Sequence, residues 1–239
     1  MQAGQLFAQA MPALTEFTSP RAWAFGLLGI HEYLQRLGGH SSANQARDVL
    51  TERLMSLLRE TGTPEWCWFE NELAYDNAKL PHALIVTGRA TRRDSVLEAG
   101  LEALRWLTKL QISERGHFQP IGSKGFYSRG SPRARFDQQP IEAQATVSAC
   151  VEAYHATGDQ WWYEQARRAF DWFLGWNDLG QELYTPDTGG CFDGLHVDRV
   201  NSNQGAESTL AFLLSLAEMH LTQAMVTSFK KPLAEVLTQ

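Results

Sequence analysis

The stretch Ile141-Glu-Ala-Gln-Ala-Thr-Val-Ser-Ala-Cys-Val-Glu-Ala-Tyr-His-Ala156 decides the fold. Ala143, Ala145, Ser148, Ala149, Ala153 and Ala156 run around the helix, and its acidic residues are Glu142 and Glu152. An apolar circumference implies burial on all sides, and small residues let neighbouring helices approach closely. Thr157-Gly158 closes the segment, and Asp159 opens a partner that reaches about Leu174. The partner is two-faced, with Glu164, Arg167, Arg168 and Asp171 on one side and Trp162, Ala166, Phe170 and Phe173 on the other. The pair predicts a hairpin of one inner and one outer helix.

The same pairing recurs on both sides of this stretch. Ser19-Pro20 starts a helix striped with Trp23, Phe25, Leu27, Leu28, Ile30, Tyr33, Leu34 and Leu37. Gly38-Gly39 stops it, and Ser41-Ser42 opens a partner to about Arg59. A second pair runs from Asn77 to Val86, closed by Thr87-Gly88, and from Asp94 to Lys109. A fourth inner helix spans Gly205 to about Thr222, and a short closing helix is expected near Pro232 to Leu237. No convincing period-2 run appears. An internal repeat of about 50–70 residues therefore predicts an all-α chain, a single domain over 1–239. Its architecture is an α/α toroid of about three and a half hairpins, short of a closed ring.

Inner-to-outer connections are short, whereas outer-to-inner ones are long: about Thr61 to Asp76, Gln111 to Pro140 and Gly175 to Gln204. Long irregular loops in compact domains are usually functional or disordered, and these are too rich in aromatics for disorder. Parallel inner helices would gather all three on one face.

Hydrophobic residues make up 44% of the 239 and charged residues 20%, an ordinary globular balance. The net charge of −6 argues against nucleic acid as a partner, because phosphate backbones need a basic face. No basic-apolar leader and no run of eighteen apolar residues is visible, so a cytoplasmic protein without a membrane span is expected. Cys67, Cys150 and Cys191 lack metal-site spacing and read as three reduced thiols. No HExxH, Walker loop, GxSxG or EF-hand occurs, and neither metal nor cofactor is expected. An Asp-rich terpenoid-cyclase motif is also missing.

The loops interleave aromatics with carboxylates, amides and arginines. That mixture suits an oligosaccharide: rings stack on its C–H faces while carboxylates and amides bind vicinal hydroxyls. Trp68, Glu70, Tyr75, Asn77, His117, Arg135, Asp137, Gln138, His196, Asp198, Asn203 and Gln204 are the candidate substrate-binding residues. Glycosidic chemistry needs two carboxyl groups flanking the bond. Asp76, Glu142 and Glu207 are the catalytic candidates, each at or near the start of an inner helix. Plainer roles compete. Asp76 and Asn77 could be N-caps, and Glu142 could complement a helix dipole. The turn sequences Asp187-Thr-Gly-Gly and Asp193-Gly could be purely structural.

Several stretches resemble a bacterial carbohydrate-related family. They are Phe17-Thr-Ser-Pro-Arg-Ala-Trp-Ala-Phe, the Trp68-Phe-Glu-x-x-Leu-x-Tyr-Asp-Asn-Ala-x-Leu-Pro segment, Gly116-His-Phe-Gln-Pro-Ile-Gly-Ser, Arg135-Phe-Asp-Gln-Gln-Pro-Ile-Glu-Ala and Asn203-Gln-Gly-Ala-Glu-Ser-Thr. The family's α/α-toroid domain occurs alone or behind a GT4-type retaining glycosyltransferase, and the resemblance covers nearly the whole chain. The Tyr-Asp-Asn-Ala segment is also similar to those of α/α-toroid sugar epimerases. The resemblance implies carbohydrate activity, with a glycosyltransferase or two further N-terminal helical pairs as partners. It implies that this chain is the C-terminal two-thirds of such a domain. Separately, three and a half pairs cannot close a ring, so an open apolar flank and self-association are expected. The competing expectation is a non-catalytic glycan-binding or scaffolding domain.

Overall fold

The computed structural model describes the backbone of residues 2–37 and 41–236, and the side chains of 4–37 and 41–224. The chain divides into two compact units, Met1–Gln111 with Gly125–Arg133, and Ile112–Lys124 with Ala134–Gln239.

In the first unit the order is α1 (Gln2–Leu14), α2 (Pro20–Leu37), α3 (Ser41–Thr61), β1 (Glu72–Leu73), α4 (Lys79–Thr91), α5 (Asp94–Leu110) and β2 (Tyr127–Ser128). The repeat pattern does not predict α1. This helix docks through Met11, which is buried, and through Phe7, whose ring stacks on Tyr33 at 4.8 Å. The Gly38-Gly39 stop after α2 lies outside the described residues. α4 is buried at Lys79, Leu80 and Pro81 and again from Ala83 to Gly88, most of its circumference. α5 instead shows the single stripe Val96, Gly100, Ala103, Leu104, Leu107 and Thr108.

Gly88 does not end α4, as its sequence suggests. The helix continues to Thr91 and is capped by Arg92 in the left-handed region, φ 54°. Gly88 is a packing residue instead: a Cβ there would lie 2.4 Å from the Leu97 nitrogen, so only glycine lets α5 come this close.

The second unit holds α6 (Pro140–Thr157), α7 (Gln160–Asp171), β3 (Tyr184–Thr185), β4 (Gly190–Cys191), β5 (Gly194–Leu195), β6 (Val200–Asn201) and α8 (Ala206–Val236). Pro140 starts α6, and Gly158 ends it at φ 70°. Ala143, Ala145, Ala149 and Ala153 have no exposure, while Glu164 and Arg167 of α7 face solvent. The Asp159 carboxylate caps α7 by accepting from the Trp161 N–H at 3.0 Å. α8 is one uninterrupted helix, so its backbone absorbs the separate closing helix expected from Pro232; Leu237 lies outside the described residues. It packs on α6, buries Ala211, Phe212, Ser215 and Met219, with Phe212 stacked on Tyr184 at 4.4 Å, and exposes Leu210, Leu213, Leu214 and Leu221. The strands are two-residue antiparallel ladders, β1 with β2, β3 with β4 and β5 with β6.

Candidate functional site

In the first unit, the loop before α4 is pinned by Arg21, a residue that the sequence reading does not single out. Its guanidinium pairs with Glu70 at 2.6 Å, donates to the Tyr75 carbonyl and reaches Asn77 Oδ1 at 3.5 Å. The Asn77 side chain folds back on Ala74, accepting from its N–H at 3.0 Å and donating to its carbonyl at 3.3 Å. Neither Asp76 nor Asn77 is the N-cap of α4; that position is Ala78, with no side-chain cap. Asp76 is fully buried, with φ 50°, a conformation that Asp tolerates better than most residues. Trp68 is also fully buried, stacked on Trp106 at 6.0 Å, so it belongs to the core of this unit. Tyr75 is 40% exposed.

In the second unit, Asp178 organises the loops around it. Its side chain has no exposure. It meets His117 Nε2 at 3.0 Å, Gln119 Nε2 at 2.9 Å to both oxygens and Arg135 at 2.8 Å, and it accepts from Gln138. Burial alone would raise its pKa, but the hydrogen bonds from Arg135, Gln119, Gln138 and His117 prevail and hold it below the usual carboxylate range. Trp172 in turn donates to Gln138 Oε1 at 2.9 Å, and Ser113 Oγ lies 2.9 Å from His117 Nδ1. His117 and Gln138 are therefore buried in this hub, whereas the Arg135 side chain stays 58% exposed.

The backbones of Gln138 and Leu195 exchange two hydrogen bonds of 2.9 Å. This pairing sets Asp137 beside His196, whose Nδ1 lies 2.9 Å from Asp137 Oδ1 at the surface. Asp198 pairs with its neighbour Arg199. Asn203 donates to Asp193, and Asp193 accepts from the Gly205 N–H at 2.8 Å, tying the loop to the start of α8. Those bonds, with one from Ser208, hold Asp193 below its ordinary pKa against the opposing effect of burial. Gln204 bonds Thr185 at 2.8 Å and Thr188 at 2.9 Å, bracing the β3–β4 hairpin. Glu142 is buried in the first turn of α6, and Glu207 is exposed in the first turn of α8.

No protein-family model matches the chain, and no curated protein matches it. Solved structures do. The GH76A α-1,6-mannanase of Salegentibacter sp. HEL1_6 superposes with a TM-score of 0.63 at 14% identity, over 91% of this chain and 65% of its own. An inactive variant of that enzyme, in which two consecutive aspartates are asparagine, was solved with α-1,6-mannotriose. The GH76 α-mannanase of Bacteroides thetaiotaomicron gives 0.59 at 11% identity, over 85% of this chain and 52% of its own. A sugar epimerase from a ruminal bacterium gives 0.54 at 13%, over 86% and 58%. The chain thus spans between about half and two thirds of the length of these structures. The expected α/α-toroid fold of helical hairpins is the fold they share. No helix among the described residues is long and apolar enough to cross a membrane.

Proposed function

We propose that the chain recognises a glycan and acts on a glycosidic bond through carboxylates at the starts of its inner helices. The observation that carries this reading is the burial of Asp76 just before α4 and of Glu142 in the first turn of α6. A buried carboxylate is costly unless it is paired or hydrogen-bonded, so the surroundings of each must hold it in place. In glycosidic cleavage one carboxyl protonates the leaving oxygen while another acts as nucleophile or base. The proposed carboxylates are Asp76 in the first unit, and Glu142 and Glu207 in the second. Tyr75 and the half-exposed Trp176 offer rings to sugar faces, and Arg135, Asp137 and His196 offer polar contacts at the surface. The mannanase and epimerase likeness supports the fold on which this reading rests.

One observation favours a second reading. Glu207, the third of the proposed carboxylates, is exposed, whereas Asp76 and Glu142 are buried. A non-catalytic glycan-binding domain, serving a GT4-type glycosyltransferase or further N-terminal repeats in the cytoplasm, fits that difference. The deciding experiment titrates α-1,6-mannotriose calorimetrically and follows its cleavage in wild type, Asp76→Asn, Glu142→Gln and Glu207→Gln. Loss of cleavage with binding retained supports catalysis; binding without cleavage in wild type supports the second reading. No binding of this or other oligosaccharides overturns both.

A further inference from the structure

The first unit contains a cavity of about 280 Å³, lined by His31, Leu34 and Gln35 of α2, Arg47 of α3, and Thr87, Arg89 and Ala90 of α4. Two donors in its lining are buried without a hydrogen-bond partner among the described residues, Arg47 Nε and Thr87 Oγ1. Thr87 is only 2% exposed. The contact of Arg47 Nε with Asp48 is 3.8 Å, too long for a hydrogen bond, and the Asp48 side chain is 60% exposed. Buried donors are almost always satisfied, by protein, water or ligand. Arg89 adds a second guanidinium to the wall and His31 an imidazole, and no carboxylate stands among these lining residues.

We propose that this cavity binds a tetrahedral oxyanion, a phosphate or the phosphoryl group of a small metabolite. The Arg47 guanidinium presents a planar fork that matches such oxygens, and the Thr87 hydroxyl reaches them from a second helix. Donors arriving from α3 and α4 suit a group with oxygens on several sides. The carbonyl end of α4 opposes an anion, so the attraction falls to the Arg47 guanidinium. The volume exceeds that of a bare phosphate and leaves room for a substituent. This site is independent of the carboxylates proposed above, and its test does not bear on them.

Calorimetry and thermal melts of the full chain test it, with sodium phosphate, sodium sulfate and glucose 6-phosphate against sodium chloride at equal ionic strength. Phosphate at ten times its Kd should raise Tm by about 3 °C. Arg47→Gln should abolish the shift, and Thr87→Val should weaken binding about tenfold. Tighter binding of glucose 6-phosphate than of phosphate identifies an organic phosphate as the ligand; equal or weaker binding identifies the free ion. No shift beyond chloride overturns the proposal. So does an unchanged shift in Thr87→Val, a near-isosteric change that preserves packing if Arg47→Gln fails to fold.

Discussion

His117 meets, 3.0 Å from its Nε2, a carboxylate with no solvent exposure at all, that of Asp178. Ser113 Oγ stands 2.9 Å from the other ring nitrogen, so both sides of the imidazole are engaged. The contact joins two loops of the second unit and leaves the ring too buried to reach a ligand directly. Its role is to hold the loop that carries Arg135 and Asp137.

Asp178→Asn should therefore destabilise the protein. The amide cannot accept on both sides from His117, Gln119, Arg135 and Gln138, and each buried donor left unsatisfied costs about 1–3 kcal/mol. A chain of this size should lose roughly 10 °C in Tm. The folded pKa of Asp178 is depressed, so its stabilisation is present above the unfolded value, near 3.9, and is lost as pH falls through the folded value. Melts between pH 5 and pH 2 should show a steeper loss in wild type than in the variant.

His82 predicts a pH dependence in a different window. Burial, with Lys79 and His31 adding repulsion, pushes its pKa down to about 3. The unfolded chain, titrating near 6.5, binds the extra proton between these values. Stability from this residue is complete above the unfolded pKa and declines as pH falls toward 3. His82→Leu should flatten the stability profile across that window, measured by urea unfolding.

The Gly88–Leu97 approach can be tested with one methyl group. Gly88→Ala places a Cβ 2.4 Å from a backbone nitrogen, which no side-chain rotation relieves. Overpacking of this kind costs about 1–3 kcal/mol, read as a Tm drop of several degrees. A variant as stable as wild type would show that α4 and α5 can separate without penalty.

These cases also show what the sequence could disclose. The inner character of α4 and α6 is legible because an apolar circumference is a local property, and Gly158 is readable as a stop. Gly88 misleads because glycine marks both helix ends and close packing, and only the neighbouring helix distinguishes them. The expected site residues include His117, Arg135 and Gln138 but omit Asp178. Its partners lie 61, 59, 43 and 40 positions away, so no local spacing reveals the hub. Arg21 is missed for the same reason, with Glu70 49 positions along the chain.

The leucines of α8 give the fourth prediction. Leu210, Leu213, Leu214 and Leu221 are 56%, 44%, 51% and 68% exposed, an apolar set on the helix that packs against α6. Such surface favours association with another helical face. Light scattering should show concentration-dependent assembly, and Leu214→Glu should shift it toward monomer without lowering Tm. A wild type that stays monomeric at every concentration would refute this.

The last prediction concerns Glu142. It is 2% exposed, in the first turn of α6, whose body from Ala143 to Val151 is buried throughout. If the carboxylate serves only the helix dipole, Glu142→Gln should cost less than about 1 kcal/mol and leave glycan handling unchanged. If it acts on the glycosidic bond, the isosteric amide should preserve binding of α-1,6-mannotriose while lowering turnover at least about a hundredfold. The two outcomes separate because kcat and KM respond differently: a group needed in the transition state lowers kcat, whereas a binding group raises KM. Glu142→Asp provides the control, since it keeps the charge and shortens the reach. Partial recovery in that variant would point to the carboxylate itself, and equal activity in all three proteins would remove Glu142 from the catalytic set.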